Sequence, residues 1–277
     1  MEPLTVGVCS WSIDRRQPVQ SIRVAGQRYG ARAVHLGFFD AETLQATSAD
    51  ALRRVADEVG VEICATFAAF WGEDYSSLTA VAASGGYLPD EHWPTRRDHT
   101  LRVADLSAEL GAALLAIHVG TIPDDPSADA YRKLAARTAE IADALAERRL
   151  TLLLETGRES AATLSGFIDG VAKENVKVSY DPGNMVIYGT GDPVRSIATL
   201  GGRIGLVHLK DASASSQPGT DWGCEATLGT GEADIPRVVS RLRATGYSGP
   251  LIVERTAGRG DPGDLSESVD YLRSLLV

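Results

Sequence analysis

Short apolar runs recur along the whole chain and alternate with longer stretches whose apolar positions fall three and four residues apart. Eight runs stand out: LTVGVC from residue 4, ARAVHLG from 31, VEICATF from 61, AALLAIHVG from 112, LTLLLE from 150, VKVSYD from 176, IGLVHLK from 204 and PLIVE from 250. Their near-continuous apolar character is that of strands buried on both faces, as in a parallel sheet covered by crossover helices. The intervening spacing predicts helices at about 17–29, 48–60, 95–110, 127–148, 159–173, 191–200, 234–245 and 264–276. Gly111 and Gly246 close two of these, and Ser127 and Asp264 read as helix N-caps. Eight strands alternating strictly with eight helices predict a closed (β/α)8 barrel of the α/β class, one TIM-barrel domain over residues 1–277. An open doubly wound sheet would more often use fewer strands, and no Pro/Gly/Ser-rich linker divides the chain.

In a barrel of this kind the chemistry sits where strands end, so the residues that terminate the apolar runs carry the information. LTLLLE stops at Glu155, VKVSYD at Asp181, IGLVHLKD passes through His208, Lys210 and Asp211, and PLIVE stops at Glu254. A lone charged residue at a strand end is usually just solvated. Four consecutive strands doing the same thing differ, because neighbouring strands lie ~4.8 Å apart and their end groups converge. Three carboxylates so crowded would repel one another, and a divalent cation resolves the repulsion. Glu, Asp, His and Glu form a hard oxygen set with one imidazole, which favours Mn2+ and admits Mg2+, Co2+ or, less well, Zn2+.

Composition narrows the partners. The 277 residues are 44% hydrophobic and 6% aromatic, with a formal charge of −10, which excludes disorder and argues against a phosphate-backbone partner. Cys9, Cys64 and Cys224 form no CxxC pair, so neither a disulfide scaffold nor a structural zinc site is expected. The start, MEPLTVGVCSW, has neither a basic segment nor a long apolar core, and no apolar run reaches membrane-spanning length. A cytoplasmic protein with no membrane and no nucleic-acid partner is the expectation, with a homo-oligomer left open.

The series LLLETG (Glu155), SYDPGNMVIYGTGDP (Asp181, Asn184), GLVHLKDA (His208), LGTGEADIP and GPLIVER (Glu254), in this order and at barrel spacing, resembles the sugar phosphate isomerase/epimerase family with the xylose isomerase-like TIM barrel. That group includes ketose 3-epimerases, hydroxypyruvate isomerase and inosose dehydratase. The resemblance covers nearly the whole chain and implies Glu155, Asp181, His208 and Glu254 as ligands of a divalent metal. It also implies a reaction: proton abstraction alpha to a chelated carbonyl through an enediolate, with Glu155 and Glu254 as acid–base groups on opposite faces of a hydroxy-ketone sugar or cyclitol. Isomerase, epimerase and dehydratase outcomes all follow from such a site, so a lyase acting on an inosose or keto-sugar stays open. An endonuclease IV-like repair enzyme fits the charge and the five histidines poorly, and a noncatalytic sugar-binding barrel would not be expected to keep the ligand set.

Asn184, His118, Lys210, Trp11 and Trp71 are candidate substrate contacts, each with a bland alternative. Pro-Gly-Asn forms turns unaided, His118 could be a core histidine, and Lys210 and Asp211 could order the following loop. Two inserts, 68–94 and 211–234, follow strand ends and carry Phe70, Trp71, Tyr75, Trp93 and Trp222 as lid candidates, with loop packing as the alternative. The segment HLKDASAS lacks the arginine that sugar 3-epimerases of the family commonly place after this histidine. GTGDP and GTGEAD are not a phosphate-binding loop and carry acidic residues, so a nonphosphorylated substrate is expected.

Overall fold

The computed structural model describes residues 4–256 and 262–276. The eight apolar runs form eight parallel strands: β1 Val6–Cys9, β2 Ala33–Phe38, β3 Glu62–Ala68, β4 Leu114–Ile117, β5 Thr151–Glu155, β6 Val176–Tyr180, β7 Ile204–Leu209 and a closing strand Leu251–Val253. Each pairs with its sequence neighbour, and the closing strand pairs with both β7 and β1, for example Val253 with Leu209 and with Val8, so the sheet has no edge. Closure removes the unpaired N–H and C=O groups that an open sheet would expose.

Alternation along each strand decides what faces the barrel axis. Ala33, Ala65, Ala116, Leu153, Leu206 and Ile252 fill the interior, while Val34, Leu36, Leu152, Leu154, Val207 and Val253 belong to the larger core between strands and helices. Two residues further along the same inward rows stand Glu155 after Leu153, His208 and then Lys210 after Leu206, and Glu254 after Ile252. The strands thus deliver an apolar plug below and an ionic layer above it.

Each predicted helix is present within two residues at each end, and several turns add further elements. Residues Ala41–Ala46 form an extra helix because Asp40 accepts the Thr43 N–H, and Leu78–Ser84 forms another behind Ser77, which accepts the Ala80 N–H. Pro182–Tyr188 is a helix where Pro-Gly-Asn suggested a turn: proline occupies the first turn, Asp181 caps it, and Gly189 at φ 67° ends it. Neither expected N-cap holds. Ala128 occupies the cap position before Asp129–Glu147, Ser127 being bonded to Asp125, and Asp264 lies inside the first turn of Pro262–Leu276, bonded to Arg255 and Thr227. Insert 211–234 contains a two-stranded antiparallel hairpin, Asp211–Ser213 with Cys224–Ala226. No described helix is long and apolar enough to cross a membrane.

Candidate metal and active site

Glu155, Asp181, His208 and Glu254 meet at the C-terminal mouth of the barrel, each offering one ligand atom within 4.8 Å of the others. All four are buried, Asp181 and His208 completely. His208 Nδ1 lies 3.0 Å from Glu254 Oε2 and 3.5 Å from Glu155 Oε1. The carboxylates are also held from behind. Glu155 Oε1 accepts from Asn184 Nδ2 at 2.9 Å and has His118 Nε2 at 3.4 Å, while Glu254 Oε1 accepts from Trp11 Nε1 at 2.9 Å. Asp181 Oδ1 accepts the Asn184 backbone N–H at 3.0 Å, so its capping duty turns Oδ2 towards the cluster.

Lys210 completes the arrangement. Its Nζ donates to Asn184 Oδ1 at 3.0 Å and lies 3.1 Å from Asp181 Oδ2 and 3.2 Å from Glu254 Oε1. Burial opposes ionisation of Glu155 and Glu254, yet His118 and His208 hold Glu155 well below the usual carboxylate range, and Lys210 and His208 hold Glu254 at about 2. Asp181 goes the other way: burial pushes it up to about 6, Lys210 only partly opposing. Three carboxylates against Lys210 and His208 leave the cluster cation-deficient once His208 is neutral, as a metal ligand must be.

Glu155 Oε2, Asp181 Oδ2, His208 Nδ1 and Glu254 Oε2 are all buried, and the close partners of the last three lie within the cluster itself: His208 Nδ1 against Glu254 Oε2 and Lys210 Nζ against Asp181 Oδ2. Four buried ligand atoms, three of them carboxylate oxygens, gathered within 4.8 Å of one another fit a divalent cation bound mainly through oxygen. Cys9, His35 and His208 form a second close group, in which His208 Nε2 and His35 Nδ1 are turned to each other in a 2.8 Å hydrogen bond and burial pushes the Cys9 thiol up to about 12.

Above the cluster opens a cavity of about 430 Å³ lined by Trp11, Arg15, Phe39, Phe67, Phe70, Glu73, Tyr75, His118, Glu155, Asn184, Tyr188, Lys210, Trp222, Glu254 and Thr256, among others. Asn184, His118, Lys210 and Trp11 therefore all face it, and both inserts contribute, through Phe70 and Tyr75 and through Trp222. Trp71 is a correction: it is 44% exposed, packs edge-on against His99 and does not line the cavity. Its neighbour Phe70 takes the inward direction. Trp93 likewise sits against Tyr87 and Arg137.

Asp211 orders its loop rather than meeting a substrate. Its carboxylate accepts from the backbone N–H groups of Ala212, Gly229, Gly231 and Ala233. The glycines of LGTGEAD thus spend their N–H groups on an internal anion, which leaves them none for phosphate. Sequence reasoning did not single out His35, Phe39, Phe67, Tyr188 or Arg158. His35 lies one inward step past Ala33, and that alternation was the available signal. Arg158 pairs with Glu73 across two loops 85 residues apart, a contact with no local trace.

A family model described as xylose isomerase-like TIM barrel matches residues 25–275. No curated protein matches the sequence. Among solved structures, the xylose isomerase domain protein of Planctomyces limnophilus is 29% identical, with a TM-score of 0.86 over 92% of this chain and 90% of that one. The D-allulose 3-epimerase of Methylomonas sp. is 16% identical with a TM-score of 0.73 over 100% and 99%. A xylose isomerase-like TIM barrel protein of Mycobacterium smegmatis, solved in complex with magnesium, is 17% identical with a TM-score of 0.72 over 99% and 96%.

Proposed function

The chain belongs to the xylose isomerase-like TIM barrel family, and from that premise we propose that it is a divalent-metal-dependent isomerase or epimerase of a hydroxy-ketone sugar or cyclitol. The observation that carries this reading is the gathering of buried ligand atoms from Glu155, Asp181, His208 and Glu254 within 4.8 Å of one another. The magnesium complex of one similar barrel and the sugar epimerase activity named for another support it. Mn2+, Mg2+ or Co2+ suits the donors. When bound, the cation would polarise a substrate carbonyl and its neighbouring hydroxyl, acidifying the C–H between them.

The protein's own groups then handle the proton. Glu155 and Glu254 both rest as carboxylates, each with one oxygen fixed by a neutral donor, Asn184 or Trp11. Fixed carboxylates across a floor lose little orientational freedom on reaction, which is how positioned bases gain rate. One removes the proton from the acidified carbon and later releases it to solvent; the other, having first taken up a proton from solvent, delivers it to the opposite face and inverts the centre. Return to the adjacent carbon gives isomerisation instead. Lys210 supplies positive charge, and His118 a ring nitrogen, at the edge where charge would build on the substrate oxygens.

Glu155→Gln and Glu254→Gln keep an oxygen donor but cannot accept a proton. In Mn2+-loaded protein each is expected to lose on the order of 10²–10⁴-fold in solvent-deuterium incorporation into ketoses and inososes. Undiminished incorporation in either variant removes that residue from proton transfer.

A further inference from the structure

The cavity divides chemically. Its floor carries the ionic and polar groups of Glu155, Asn184, Lys210 and Glu254 beside Trp11 and Phe67, whereas Phe39, Phe70, Tyr75, Tyr188 and Trp222 line the rest with little but rings. The chain is only 6% aromatic, so this concentration is a property of the site. Trp222 stands edge-on to Tyr188 at 4.9 Å between ring centres and faces Tyr75 at 6.3 Å, so the second insert closes an aromatic wall with the first. The Trp222 indole N–H is buried without an acceptor.

Volume points the same way. At about 430 Å³ the cavity is nearly three times the ~150 Å³ that accommodates a benzene ring. A free ketose seated on the floor would leave the outer part unfilled and set its distal hydroxyls against rings. Apart from the Trp222 N–H, the polar groups there are largely engaged. Glu73 accepts from Arg158, Tyr75 and the Gly86 N–H, Thr256 donates to Glu225, and the Arg15 guanidinium lies over Phe39 at 4.5 Å. Hydroxyls buried without partners cost binding energy, whereas a flat apolar group would gain it from the same walls.

We infer that the preferred substrate is a keto-sugar bearing a flat, largely apolar substituent, an aryl glycoside in type, with the sugar on the ionic floor and the substituent between Phe39, Tyr75 and Trp222. This rests on the reaction proposed above for its sugar half and on the cavity alone for its aryl half.

Calorimetric titration with phenyl and with methyl β-D-glucopyranoside, neither of which can react, reads the aryl half directly. Phenyl glucoside is expected to bind about tenfold more tightly, as stacking of one ring on aromatic walls provides. Trp222→Leu should erase most of that preference with melting temperature and Mn2+ content held, and Phe39→Leu, from a different loop, should do the same should the first variant fold poorly. Deuterium incorporation into the corresponding 3-keto glucosides and into free fructose then reads the sugar half. Equal affinity for phenyl and methyl glucosides, or a phenyl preference that survives both substitutions, overturns the inference even if exchange proceeds. A phenyl preference lost in the variants, with no exchange into any keto-sugar, upholds the aryl half and refutes the reaction instead.

Discussion

Asp211→Asn is expected to destabilise the protein through one loop. The Asp211 side chain is 1% exposed, and its two oxygens each take two backbone N–H groups: Oδ1 those of Ala212 and Ala233 at 2.9 and 3.0 Å, Oδ2 those of Gly229 and Gly231 at 2.9 Å each. Asparagine must present its amide nitrogen to one pair, setting donors against donors. At ~1–3 kcal/mol for each buried donor left unmatched, two give ~2–6 kcal/mol. The amide should turn towards the glycines, because that side is only part-buried and opens to water, so the lower half of the range applies. Even ~2–3 kcal/mol is a large part of the 5–15 kcal/mol typical of a folded domain. Urea unfolding gives the total, and amide hydrogen exchange at Gly229 and Gly231 locates it, while Mn2+ content should stay at the wild-type level since the four donors are untouched. A loss below ~0.5 kcal/mol with protection retained at both glycines would refute the reasoning.

Other expectations follow from the same structure. Burial pushes the Glu159 carboxyl from 4.5 up to about 8, with Arg158 only partly opposing; between those values the folded protein keeps a proton that the unfolded chain has lost, so this group's contribution to stability falls as pH rises. Glu159→Gln should therefore match wild type near pH 4.5 and exceed it by up to ~5 kcal/mol at pH 9, whereas a pH-independent difference in unfolding free energy would count against a buried neutral acid. His35→Phe removes the group bonded to His208 Nε2 at 2.8 Å and should weaken Mn2+ binding ~10–100-fold in a competition titration; unchanged affinity would show that His208 orients itself. Trp71→Ala, on the outer side of its insert, should leave KM and metal content unchanged and cost about 1 kcal/mol in stability; a raised KM would return Trp71 to the cavity.

The strands and much of the ionic layer were legible in the sequence because β5, β7 and the closing strand are apolar on both faces until they reach the mouth, so the polar residue ending each run marks the site. Leu153 then Glu155, Leu206 then His208, and Ile252 then Glu254 display this directly. The same rule reached His118 and Lys210 and would have reached His35, one step past Ala33. What lies in loops was less legible. Phe70 and Trp71 are adjacent aromatics, and only the folded turn decides that one enters the cavity while the other meets His99. Pro-Gly-Asn reads as a turn in isolation and becomes a helix because Asp181 caps it. The link between Arg158 and Glu73 joins two loops far apart in sequence, and no local pattern encodes it.

Glu155, Asp181, His208 and Glu254 are proposed above to form one site for a divalent cation. The most direct test is the Mn2+ bound per chain at equilibrium, measured by elemental analysis after removal of free metal, for wild type and for Asp181→Ala, which removes the Oδ2 turned into the cluster while leaving both glutamates proposed for proton transfer. About one ion per wild-type chain and little in the variant is the predicted result. No ion in wild type, or equal amounts in both, would contradict it.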